Sequence, residues 1–256
     1  MSFEDHFSRV SPGYSRYRPR YPAALFDWLA SLSPSRALAW DCATGSGQAA
    51  AGLAPHFGRV VATDASAAQI ASAAPLPHVE YRIAPADRSG LATGSVDLVT
   101  CAQALHWLPL EAFYAEVRRV LTREGALAVW GYHVPVVDDG EVDRHIRHFH
   151  HVVVGPYWPA ARQIVEDRFT TITFPFEEVV APAFEMRVRW TLEDYAKYLG
   201  TQSATDRYRQ AHAGRDPVPA FVADVAEAWG GGDHPRDVHF PLFVRAGRPT
   251  RSSSAA

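Results

Sequence analysis

The stretch Asp41-Cys42-Ala43-Thr44-Gly45-Ser46-Gly47-Gln48 decides how this chain is read. It follows a short apolar run at 37–40 and precedes a helical pattern at 48–57. Glycines let a backbone turn sharply and approach a ligand closely, and the helix that follows turns its amino terminus toward that ligand. A second apolar run, 60–63, ends at Asp64, about 20 residues beyond the loop, where an acid accepts the ribose hydroxyls of a nucleoside.

Outward from the loop, apolar runs at 79–83, 96–101 and 127–130 alternate with helical patterns at 65–73 and 110–121. Continuous short runs, rather than alternating ones, mark strands buried on both faces, and the strand–helix rhythm predicts a parallel, doubly wound sheet. Before it, 21–32 reads as a helix with Pro22 in its first turn. After Gly131 the rhythm changes. The spacing predicts helices over 141–153, 192–199 and 220–229, strands near 170–174 and 184–190, and a last strand at 237–244. The expected architecture is a Rossmann-like α/β fold: a seven-stranded, mostly parallel sheet with an antiparallel C-terminal hairpin and a helical lid insertion. One domain spans 1–249, with a cap helix region at 1–35, a cofactor core at 36–135, lid insertions and an edge strand at 136–235, and the last strand at 236–249. A disordered tail follows at 250–256.

Composition narrows the function. Net charge is −3 over 256 residues, with no basic excess to neutralise a phosphate backbone, so nucleic acid is not the expected partner. Lys197 is the only lysine among 25 basic residues, which argues against lysine chemistry. Cys42 and Cys101 read as reduced, buried thiols rather than a disulfide framework. The start MSFEDHFSRV has no apolar signal region, and no run is long enough to span a bilayer, so the expected location is the cytoplasm, with no membrane partner. Monomer and homodimer stay open.

Read as Gly45-x-Gly47-x-x-Ala50, the loop also fits a dinucleotide fingerprint. Two features favour S-adenosylmethionine (SAM) over a nicotinamide cofactor. Asp41 would repel a pyrophosphate and attract an ammonium. The chain also offers no second nucleotide-binding half and no Tyr-x-x-x-Lys pair. A NAD-dependent oxidoreductase and a non-catalytic SAM-binding protein are the alternatives.

Further motifs carry a family likeness. They are Tyr14, Tyr17-Arg18-Pro19, Tyr21-Pro22, Ala86-Asp87, Ser95-Val96-Asp97-Leu98-Val99, Gln103-Ala104-Leu105-His106-Trp107 and Arg119-Val120-Leu121, with weaker echoes in Trp190-Thr191-Leu192 and Gln202-Ser203-Ala204. Over about 7–132, roughly half its length, the chain resembles the class I SAM-dependent methyltransferases of the type 11 group, most of all the trans-aconitate-methyltransferase-like branch. Ala43 stands where that family has its first loop glycine. The resemblance implies that Asp41, Ala43, Gly45 and Gly47 surround the methionine part of SAM and that Asp64 binds its ribose. It places Ala65, Ala86 and Asp87 at the adenine, Gln103 near the sulfonium, and Tyr14 and Arg18 over the cofactor; a plain structural turn is the other reading of that front segment.

The expected reaction is methyl transfer to a small-molecule acceptor, with a carboxylic acid as one candidate. His106 is the candidate base, unless it and Trp107 only pack the loop. Arg187, Arg189 and Trp190 form a candidate substrate fork, or else a solvated strand face. His145, His148, His150 and His151 lack cysteines and regular zinc spacing, so no metal is expected there. Ile146 and Phe149 set that helix's core face, which turns the histidines outward or into the lid.

Overall fold

A computed structural model describes residues 19–250. Five strands run parallel in the order β3 (Val79–Ile83), β2 (Arg59–Asp64), β1 (Leu38–Cys42), β4 (Val96–Ala102), β5 (Leu121–Gly131). Helices α2 (Gln48–Leu53), α3 (Ala67–Ser72) and α4 (Leu110–Val120) make the crossovers, and α1 (Ala23–Ser31) precedes β1. Strand order reverses between β1 and β4, and ligands of open α/β sheets bind at the carboxyl ends beside such a switch.

The apolar runs are buried strands because both faces are covered. Trp40 and Val99 point into one core with Phe113 and Val117, whereas Ala39 and Leu98 point into another with Leu25 and Leu29. All of these are fully buried, which is why β1 and β4 show no polar alternation.

The antiparallel hairpin is built on β9 (Arg236–Arg248), the longest strand. Its carboxyl half pairs β5 on one side and β7 (Glu177–Val179), a strand the sequence did not announce, on the other, making a ladder of seven strands. Its amino half pairs two more, β6 (Val136–Val137) and β8 (Phe184–Trp190), so the whole sheet has nine strands. The strand expected near 170–174 is absent. Arg168 and Phe169 take positive φ (53° and 61°), which breaks an extended run, and pairing begins only at Glu177.

The expected helix at 141–153 is present, with its last turn π-helical. Asp139 caps α5 (Gly140–His148) by accepting from the Glu141 and Val142 amides, and a π-helical turn, Phe149–Val153, follows. Next come α6 (Arg162–Glu166), α7 (Leu192–Gly200), α8 (Ser203–Ala211) and α9 (Val218–Trp229). Helices α5, α7, α8 and α9 share a separate core in which Tyr195, Phe221 and Trp229 pack ring to ring, whereas Val165 of α6 packs into the sheet core. Among the described residues, no helix is long and apolar enough to cross a membrane, and no group of three or more His, Cys, Asp or Glu is placed to hold a metal ion.

Candidate functional site

The loop after β1 is a run of left-handed residues. Ala43, Gly45 and Gly47 have φ of 54°, 56° and 86°. Gly47 is confined twice over, because a Cβ there would lie 2.5 Å from the Tyr81 hydroxyl oxygen as well as straining the backbone. The loop is pinned to β2 by two bonds: Thr44 N donates to Thr63 O (2.9 Å), and Gly45 N donates to Asp64 Oδ2 (2.9 Å). Asp64 Oδ1 accepts from Ser66 N (2.9 Å). The carboxylate is thus fixed at the end of β2, on the wall of a cavity of about 1390 Å³.

Asp41 lies beneath the loop instead of facing the cavity. It is fully buried, and its two oxygens accept from the Thr44 hydroxyl (2.5 Å) and the Thr100 hydroxyl (2.7 Å). Burial pushes its carboxyl up to about 6, against the opposing pull of these hydroxyl donors. Asp41 was expected to meet the ammonium of the methionine part, but in this structure it does not line the cavity. The structure makes Asp41 a brace that ties the loop to β4.

Ala43, Gly45, Gly47, Asp64, Ala65, Ala86, Asp87, Gln103, His106 and Trp107 do converge on the cavity. Gln103 spends its side chain on protein. Its Nε2 donates to Tyr132 O (2.8 Å) and its Oε1 accepts from Tyr132 N (3.2 Å), clamping the end of β4 to the end of β5. Tyr14 and Arg18 lie outside the described residues.

Arg187, Arg189 and Trp190 are not brought to the cavity. On β8, Met186 and Trp190 turn inward while Arg187 and Arg189 turn to solvent. Arg187 Nε donates to Glu185 Oε1 (2.6 Å), and Trp190 packs on Tyr198 and Phe240 in the lid core. The bland alternative of a solvated strand face describes both arginines.

His106 sits on a 3-10 turn, Leu105–Trp107, and lines the cavity. Its Nδ1 is buried without a hydrogen-bond partner among the described residues. Burial, helped by the nearby Arg162 cation, lowers its pKa from 6.5 to about 3. The imidazole is therefore neutral near pH 7, and so weak a base has little driving force to take a proton. The arrangement suits a hydrogen-bonding wall better than the expected base.

The far wall comes from the lid and was not legible as a site. It includes His133, His150, Trp158 and Arg162. His150 is 5% exposed, so it is buried rather than outward-facing. It sits in the π-helical turn, four residues after the buried Ile146, and turns of this kind are frequent at functional sites. Glu166 Oε1 accepts from Arg162 Nε (2.8 Å) and lies 3.5 Å from His150 Nε2. Arg162 lies over the Trp158 ring, 4.7 Å from its centroid. The one sequence signal for this cluster is the Arg162–Glu166 pair, four apart on a short helix.

A glycine loop after the first strand, an acid after the second, and a roomy cavity at the switch point define a Rossmann-like nucleoside-binding enzyme fold. A family model for a methyltransferase domain matches residues 40–129. A Dictyostelium discoideum protein named as a methyltransferase is 31% identical over 249 residues, 94% of each chain. A solved structure from Anaeromyxobacter dehalogenans, assigned as a type II methyltransferase, is 42% identical. It superposes with a TM-score of 0.85, covering 90% of this chain and 97% of that one. A methyltransferase-assigned protein of Anabaena variabilis, 16% identical with a TM-score of 0.54 over 88% and 98% of the two chains, shares the fold. The chain belongs to the class I SAM-dependent methyltransferases. That membership sets aside the nicotinamide-dependent oxidoreductase.

Proposed function

We propose that the enzyme methylates a small molecule, with SAM along the β1–β2 side of the cavity and the acceptor against the lid. The observation that carries this reading is the Asp64 carboxylate, held on the cavity wall by the Gly45 and Ser66 amides. Two backbone donors fix its orientation at the cavity wall, where a carboxylate is the acceptor type that a ribose diol calls for. A further sign of fit is Gly47, where the backbone comes so close to Tyr81 that any Cβ would fill the cradle. In this reading Gly45 and Gly47 admit the methionine part, Ala65 and Ala86 flank the adenine, and Asp87 meets its edge. Tyr14 and Arg18 keep their proposed place over the cofactor on the strength of the resemblance, as does the kinship to the trans-aconitate-methyltransferase-like branch.

When bound, SAM supplies an electrophilic methyl group on a sulfonium, for in-line displacement. The protein's part is position and dryness. The cavity exceeds the usual single-ligand size, which suits a cofactor and an acceptor side by side. His106 and Trp107 form the wall between the two ends, and neutral His106 holds the acceptor by a hydrogen bond without removing its proton. A carboxylic acid as acceptor finds no support in Arg187 or Arg189, both turned to solvent.

Calorimetry with S-adenosylhomocysteine (SAH) tests the cofactor half. Asp64→Ala is expected to weaken SAH binding by about 1–3 kcal/mol, the cost of unpaired hydroxyls and a lost charged hydrogen bond. Unchanged affinity with an intact fold would remove Asp64 from the ribose site.

A further inference from the structure

The methyl-transfer reading leaves one charged group in the cavity without a task. Arg162 reaches the acceptor end with a side chain only 16% exposed. Its Nε is committed to Glu166, and the Trp158 ring covers one face of the guanidinium. The two terminal nitrogens make no hydrogen bond within the described residues. A guanidinium that lines a cavity and is held by its Nε and one face is preorganised for a planar two-oxygen partner.

Charge bookkeeping sharpens the partner. Glu166, whose carboxyl is held at about 2 by His150 and Arg162 in spite of burial, offsets the arginine charge. Burial keeps His106, His133 and His150 below their ordinary pKa, so none adds a cation near neutral pH. The other two arginines on the cavity wall, Arg20 and Arg88, are exposed. The acceptor end therefore offers directed donors with a local charge near zero. A single carboxylate leaves one negative charge there, satisfied by the fork. A polyacid or a phosphate leaves two or more in a partly desolvated space, which is costly.

Resting on the methyl-transfer reading, we propose that Arg162 anchors the acceptor through one carboxylate, selecting monoanionic acids over both neutral and multiply charged molecules. Glu166 and Trp158 are positioning residues that hold the fork. Selection of this kind departs from what a polycarboxylate-methylating relative would show.

The test is binding to SAH-loaded protein, measured by calorimetry. Benzoate and octanoate serve as monoanions, benzamide and octanamide as their neutral matches, and citrate and phenyl phosphate as multiply charged probes. The wild type is expected to favour each acid over its amide and over both multiply charged probes. Arg162→Met is expected to weaken acid binding about 10- to 100-fold, the worth of a charged hydrogen-bond pair, while SAH affinity is unchanged. Arg162→Lys, which keeps charge but loses the fork, is expected to fall between, and it serves alone if the methionine variant does not fold. Acids that bind no better than amides, or bind Arg162→Met as well as wild type, overturn the proposal. So does SAH-loaded protein that takes none of the acids. Failure of SAH itself to bind would instead remove the reading on which this one rests.

Discussion

At the scale of single residues, the site is built from backbone conformations that side chains resist. Ala43 and Gln103 both have positive φ, at the carboxyl ends of the adjacent strands β1 and β4. Strain of this kind persists only where the surroundings over-determine it, and it gathers at ligand sites. At φ 54° the Ala43 methyl group bears a left-handed penalty of about 1–2 kcal/mol. Glycine would relieve that penalty but loses about 0.4–1 kcal/mol through a freer unfolded chain. Ala43→Gly is therefore expected to stabilise the protein by between nothing and about 1.5 kcal/mol, raising Tm by up to roughly 3–6 °C at this chain length. A lower melting temperature would show that the loop is not strained there. Gly47 has no such slack, since Tyr81 occupies the space as well as the backbone being left-handed.

At the scale of elements, the cavity floor depends on how the ends of β4 and β5 are joined. The Gln103 amide bonds both the N–H and the C=O of Tyr132, a residue 6% exposed. Gln103→Ala removes one hydrogen bond from each group, and a buried backbone group that loses its partner costs about 1–3 kcal/mol. A stability loss of at least about 2 kcal/mol in urea melts is expected, with SAH binding weakened less, because the loop and Asp64 are untouched. A neutral substitution would mean that water replaces the clamp without cost. The doubly wound core was legible because buried strands leave continuous apolar runs and the glycines punctuate them. Asp64 was legible as well, since its position at a strand end fixes where its carboxylate points. Asp41 was half legible: its type and place were plain, but Thr44 and Thr100, which bury it, are separated from it by an ordinary turn and by a whole strand crossover. The lid was only partly legible. His150 falls four residues after Ile146, at the edge of the apolar stripe, but its cavity-side partners Glu166 and Trp158 lie on later segments that periodicity does not join to it. On β8 the inward alternation of Met186 and Trp190 already places Arg187 in solvent, as the solvated-face alternative had it.

At the scale of the whole molecule, the sheet core and the lid core meet across the cavity, with three buried or half-buried imidazoles on its wall and the buried Asp41 carboxyl behind the loop. Their pKa displacements oppose one another. His106, lowered from 6.5 to about 3 by burial and by Arg162, contributes stability that is complete above about 6.5 and lost as pH falls toward 3. His133 and His150 are lowered too, again chiefly by burial, and add in the same direction. Asp41, raised from 3.8 to about 6 by burial, contributes stability that is complete below 3.8 and lost as pH rises through 6. Three imidazoles, one of them displaced further than the carboxyl, outweigh a single acid. Stability is thus expected to rise between about pH 4.5 and 6.5, read as an increasing urea midpoint. The two opposing contributions separate by mutation. His106→Gln removes part of the rise and flattens the profile, whereas Asp41→Asn removes the opposing group and steepens it. A midpoint that falls with pH across this window would mean that Asp41 dominates and that the lid histidines are more hydrated than their burial implies. In that case the acceptor end of the cavity would be wet, and the neutral His106 wall would give way to one that titrates near physiological pH.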